Sequence, residues 1–157
     1  MISKSGRETI EIAKTFLTKL LKNSRHEGAL VVGLSGDLGA GKTAFVKAVA
    51  KHLKIKNKVF SPTYVIMKKY FLPRPRGSAP TKVGARGSNY KFFYHIDAYR
   101  LKNEKELIHL GWKEIISDKE NLVFVEWPEN ISKAMPSSAK YIYITHKKNG
   151  HRDFKLK

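Results

Sequence analysis

The run Gly36-Asp37-Leu38-Gly39-Ala40-Gly41-Lys42-Thr43 has the spacing G-x-x-x-x-G-K-[ST], that of a phosphate-binding P-loop. Glycines at 36, 39 and 41 permit backbone angles that a side chain would forbid, so successive N–H groups can curl inward around an anion. Lys42 adds a mobile positive charge for the β- and γ-phosphates of a nucleotide, and the Thr43 hydroxyl suits a magnesium ion. Asp37, Leu38, Gly39, Ala40, Gly41, Lys42, Thr43 and Ala44 are therefore the candidate nucleotide-binding run. A helix opening just after Thr43 would add its N-terminal dipole to the same anion site.

A P-loop needs an acidic partner to complete the metal shell, typically at the end of an apolar strand. Two residues qualify. Glu126 ends the run Leu122-Val123-Phe124-Val125, and Asp97 follows Tyr94-His95-Ile96. An apolar strand that delivers a carboxylate is costly unless the charge meets a cation. Metal or water positioning is one use for each; an ion pair with Arg100 or a lysine is the other. His95 is a proton carrier or a histidine hydrogen-bonded within its strand. Trp127 either stacks on a base or partner, or is partial core. Thr63, after Ser61-Pro62, sits where a switch loop could sense a γ-phosphate.

The flanking elements must position these groups. Residues 29–34 are an apolar run suited to a strand buried on both faces. Phe45, Val46, Val49, Ala50 and Leu53 have helical spacing, so strand, loop and helix follow in the order that a P-loop requires. Upstream, Ser5 to Glu8 reads as a capping box for a first helix that ends near Asn23. Downstream, the pattern predicts strands over 63–71, 90–97, 122–126 and 141–145. It also predicts a short helix capped by Asn103, a helical turn over 112–116, and a hairpin at Asn149-Gly150 returning as an edge strand over 152–157. The expected architecture is a single α/β P-loop domain over 1–157, with a mixed, mainly parallel central sheet flanked by helices and ligand at the carboxyl ends of the strands. Residues 73–89 hold three prolines, three glycines, three arginines and a lysine with no acid, and read as a flexible basic loop.

Composition bounds the chemistry. The chain has 157 residues and no cysteine, which excludes a disulfide framework and thiolate chemistry. No stretch approaches the ~20 apolar residues of a membrane span, and residues 1–11 lack a signal-peptide core, so a cytoplasmic protein without membrane contact is expected. A net charge of +18 implies attraction to polyanions, nucleic acid first among them.

Taken together, Gly-Asp-Leu-Gly-Ala-Gly-Lys-Thr (36–43), Ser-Pro-Thr-Tyr (61–64), His-Ile-Asp-Ala-Tyr-Arg-Leu (95–101), Glu-Leu-Ile-His-Leu-Gly (106–111) and Val-Glu-Trp-Pro-Glu (125–129) resemble the TsaE family over roughly residues 5 to 155. The resemblance implies a bacterial ATPase of tRNA threonylcarbamoyladenosine biosynthesis that binds ATP with Mg2+ and hydrolyses it weakly alone. It implies TsaD and TsaB homologues as partners, with tRNA reached indirectly or through the basic surface. By the same match, Thr43 and Glu126 would hold the metal with Asp97 close by, and Lys42, Glu126 and Asp97 would be the catalytic set. Thr63 would lie in the switch-like segment, and Gly150 and Arg152 of the closing hairpin toward the base of the nucleotide. Two features depart from the family pattern: Ala44 replaces a second threonine, and the 73–89 loop replaces a short turn.

Two rival readings stand beside this one. A P-loop kinase of a small metabolite would need a lid and a second-substrate pocket, for which only the 73–89 loop could serve. An ATP-gated RNA-binding module would account for the charge.

Overall fold

The computed structural model describes residues 1–22, 27–57, 59–73 and 90–157. Along them run β1 (Ile2–Ser3), α1 (Gly6–Lys22), β2 (Leu30–Ser35), α2 (Lys42–His52), β3 (Met67–Phe71), β4 (Phe92–Asp97), α3 (Glu104–His109), α4 (Trp112–Ser117) and β5 (Asn121–Glu126). A 3-10 helix (Pro128–Ala134), β6 (Lys140–His146) and β7 (Arg152–Leu156) complete them. Among the described residues the strands form one seven-stranded sheet in the order β1-β7-β6-β2-β5-β4-β3. Its centre is parallel: β2 pairs with β5 and β6, and β4 with β5. Antiparallel hairpins β3–β4 and β6–β7 flank that centre, and β1 lies antiparallel on β7. This is the mixed α/β architecture expected from the sequence, with the parallel pairing in its centre.

Alternation along the strands divides the core in two. Val32, Leu34, Phe93 and Phe124 pack with Phe16, Leu17 and Leu20 of α1 and Phe45, Val46 and Val49 of α2. Val31, Ile96, Val123 and Val125 pack on the opposite face with Leu107, Trp112, Ile115 and Ile131. Helices thus cover both faces, which is why β2 and β5 read as continuous apolar runs. At the start of α1, Ser5 Oγ accepts the Glu8 N–H at 3.2 Å, while the Glu8 carboxylate accepts the Lys4 N–H at 2.7 Å.

Several expectations are corrected. The strand expected over 63–71 begins only at Met67. Val65 N–H donates to Pro62 O at 2.9 Å, and Ile66 has φ 63°, so residues 63–66 turn before the strand starts. The return strand β7 is not at the sheet edge at its start, because Ile2 and Ser3 pair with Asp153 and Arg152. The 3-10 helix after β5 was not expected. Residues 74–89, nearly all of the expected flexible loop, lie outside the described residues. No helix among the described residues is long and apolar enough to cross a membrane.

Candidate nucleotide-binding site

The loop between β2 and α2 lies at the carboxyl end of a central parallel strand. Gly36 has φ 148°, and a Cβ there would stand 2.2 Å from the Ile144 carbonyl oxygen of β6. Gly41, at φ 105°, would place a Cβ 3.0 Å from Arg152 Nε. Glycine at these two positions lets the loop lie close against Ile144 of β6 and Arg152 of β7.

Lys42 opens α2 and turns back over its own loop. Its ammonium donates to the carbonyls of Gly36 and Asp37, the latter at 2.9 Å. It also lies 3.6 Å from the centroid of the Trp127 ring, a cation–π contact. Burial pushes the Lys42 pKa below its ordinary range, against the opposing pull of Glu126, Glu129, Asp97 and Asp37. The positive charge is thus desolvated and held within a field of carboxylates.

Asp97 and Glu126 are register partners on the adjacent parallel strands β4 and β5. Both project from the sheet face that carries α2, and they are only 5% and 3% exposed. Two such groups side by side repel each other and are costly to desolvate. Each is met by hydrogen-bond partners. Glu126 Oε2 accepts the Thr43 hydroxyl at 2.9 Å, and its Oε1 lies 2.7 Å from His95 Nε2. Asp97 Oδ2 accepts the Thr63 hydroxyl, and its Oδ1 accepts the Tyr99 N–H at 3.0 Å. Ser61 Oγ lies 2.6 Å from Thr63 Oγ1, so the Ser-Pro-Thr segment is tied to the carboxylate pair.

The donor set fits magnesium: a threonine hydroxyl and two carboxylates are hard oxygen ligands. Among the described residues no three carboxylate, imidazole or thiolate groups cluster to hold a metal unaided.

These groups border a cavity of about 290 Å³. Leu38, Gly39, Gly41, Lys42 and Thr43 line one side, and Thr63, Asp97, Tyr99, Glu126 and Trp127 the other. Of the other candidates, Asp37 contributes its carbonyl to Lys42, Ala40 is buried and Ala44 is exposed on α2. Arg152 packs against Gly41, and Gly150 occupies the β6–β7 turn at φ 77°, off the cavity wall. Arg100 does not pair with Asp97; its guanidinium lies 4.6 Å from the Tyr64 ring centroid. Sequence reasoning gave Tyr99 no role beyond its place in the 95–101 motif and left Trp127 open. Their rings are 5.0 Å apart and form one wall. A local clue to a site role for Tyr99 was its place two residues after a strand-end aspartate.

Fold and site define a P-loop α/β domain. The family model for threonylcarbamoyl adenosine biosynthesis protein TsaE matches residues 3–154. Similar proteins include tRNA threonylcarbamoyladenosine biosynthesis protein TsaE of Rickettsia typhi, 35% identical over 128 residues, 81% of this chain and 72% of that protein. The protein of the same name in Borreliella burgdorferi is 35% identical over 127 residues, 80% of this chain and 75% of that protein. The crystal structure of Bacillus subtilis YdiB superposes with a TM-score of 0.66 at 28% identity, covering 99% of this chain and 82% of that one. The chain belongs to the TsaE family of tRNA threonylcarbamoyladenosine biosynthesis proteins.

Proposed function

We propose that this protein binds ATP with Mg2+ in the cavity at the P-loop and hydrolyses it to ADP and phosphate. In this reading it serves the cytoplasmic tRNA-modification machinery by acting on a TsaB–TsaD pair. The observation that carries the reading is the Thr43–Glu126 hydrogen bond beside a buried Lys42. It brings the loop hydroxyl, a strand-end carboxylate and the loop lysine to one point.

Each residue then has a role. The backbone N–H groups from Asp37 to Ala44 cradle the phosphates, and Lys42 neutralises the β- and γ-phosphate oxygens. Thr43 and Glu126 would hold the metal with Asp97 adjacent; magnesium there supplies charge to the transferred phosphoryl group. Thr63, bonded to Asp97, links the site to the segment carrying exposed Phe60, Tyr64 and Val65. Loss of the terminal phosphate changes the surroundings of Asp97 and is passed through Thr63 to that surface. Gly150 and Arg152, outside the cavity lining, would lie toward the base of the nucleotide. Both threonine hydroxyls on the cavity wall, of Thr43 and Thr63, are bonded to carboxylates, which favours hydrolysis coupled to a partner's cycle over attack by either of them.

The test is phosphate release from ATP with the protein alone and with cognate TsaB–TsaD homologues. Low activity alone and a marked rise with the pair support the proposal. Phosphate transfer to an added small acceptor would favour a kinase. Salt-sensitive RNA binding that is indifferent to the pair, with no stimulated hydrolysis, would favour an RNA-binding module.

A further inference from the structure

His95 is the least exposed polar residue of the site, at 0%, and the mechanism above leaves it without a role. It lies in β4 between β3 and β5, with Lys68 and Phe124 as register partners. It projects from the same sheet face as Phe93 and Asp97. Phe93 and Phe124 flank it on that face, and packing against them would be better served by another apolar residue.

Among the described residues, the one hydrogen bond of its side chain is to Glu126 Oε1 at 2.7 Å. An ionised carboxylate has only lone pairs to offer, so Nε2 carries the proton and donates it. The ring's other nitrogen, Nδ1, is buried with no partner among the described residues. A buried unpaired nitrogen is unfavourable. Its presence here points to a use for the bond at the other end of the ring.

Glu126 is thus gripped at both oxygens, by two groups of different kinds. Thr43 holds Oε2 from the first turn of α2, and it must turn toward a metal to serve as a ligand. His95 holds Oε1 from inside the sheet, where among the described residues it has no other acceptor. The carboxylate also has a competitor nearby: of the charged groups around Lys42, Glu126 acts on it most strongly.

We infer that His95 is a positioning residue for Glu126. It fixes Oε1 so that only Oε2 is presented to the metal as Thr43 releases it, and it keeps the carboxylate from swinging onto Lys42. The inference rests on the magnesium-nucleotide reading and deepens it. Groups that hold a metal's ligands in this way are typically worth roughly 10–100-fold in metal affinity or activity.

The test compares wild type with His95→Phe, which removes the donor, and His95→Gln, which keeps one. ADP binding is measured by calorimetry without magnesium and across a MgCl2 titration, and thermal melting is recorded alongside. For His95→Phe we expect magnesium-free ADP affinity within about twofold of wild type. The apparent magnesium affinity should fall at least about tenfold, and kcat for ATP should fall more than KM rises. His95→Gln should recover most of the loss. If His95→Phe does not fold, His95→Met takes its place. Wild-type magnesium dependence in the donor-free variant would overturn the inference. So would equal impairment of the Gln and donor-free variants in step with lowered melting temperatures, since that is the behaviour of a packing residue. If wild type binds ADP with no response to magnesium, the parent reading falls and takes this one with it. If wild type responds and the donor-free variant responds equally, only the role of His95 fails.

Discussion

At the residue scale, Lys42 is aimed by its own loop and by Trp127, so its role can be separated from folding. Lys42→Ala removes a buried cation whose partners are backbone carbonyls and a ring. It should therefore leave the melting temperature near or above that of wild type while reducing ATP affinity by more than about tenfold, since charge-assisted bonds to phosphate are worth ~1.5–3 kcal/mol each. Calorimetric titration checks this, and wild-type affinity would contradict the P-loop assignment. Glu126→Gln should still bind nucleotide but lose magnesium-dependent hydrolysis, because a neutral amide is a poor magnesium ligand. Asp97→Asn should be impaired in the same direction and less. Single-turnover hydrolysis with each variant makes the comparison. Normal hydrolysis by Glu126→Gln would remove it from the metal site. The loop and both carboxylates were legible because their spacing and strand-end positions are set by chemistry. The Tyr99–Trp127 wall was not. Trp127 reaches the cavity at φ 60°, a left-handed conformation rare for a bulky residue that no local pattern announces.

At the element scale, the P-loop is shaped by the hairpin beside it. Gly36 faces the Ile144 carbonyl, and Gly41 faces Arg152. Replacing Gly36 with alanine sets a methyl group against backbone that has no rotamer by which to yield. The expected cost is at least roughly 1–3 kcal/mol, or a fall in melting temperature of roughly 2–12 °C. Nucleotide affinity should fall in parallel, since β6 and the loop must part. An unchanged melting curve would mean that the loop does not depend on β6. Elements longer than a few residues were readable because they bury regular apolar stripes, as α1, β2 and β5 do. The exceptions have physical reasons. Residues 63–66 are rich in β-formers, yet the Thr63–Asp97 hydrogen bond and the turn at Ile66 hold them out of the ladder. β1 has two residues, too few for any periodicity. The 3-10 helix follows from the reversal at Trp127 and packs Ile131 into the core. That is a tertiary consequence which the sequence pattern around Pro128 does not reveal.

At the scale of the whole molecule, the parallel centre of the sheet brings Asp97 and Glu126 to the end from which the P-loop springs. There the P-loop and Thr63, together with the Tyr99–Trp127 wall, border the cavity. The ion pairs Lys14–Glu11 and Lys91–Glu120 are solvent-exposed and contribute little to stability. Most of the net charge of +18 is left to attract polyanions in a salt-dependent way. Nucleotide turnover at this site is proposed to let a TsaB–TsaD pair act repeatedly on tRNA. The most direct measurement is threonylcarbamoyladenosine formed per TsaD over time, with wild-type protein, with Lys42→Ala and with no added protein. The account predicts that only the wild-type curve continues past about one equivalent. Three curves that rise together past that point would contradict it.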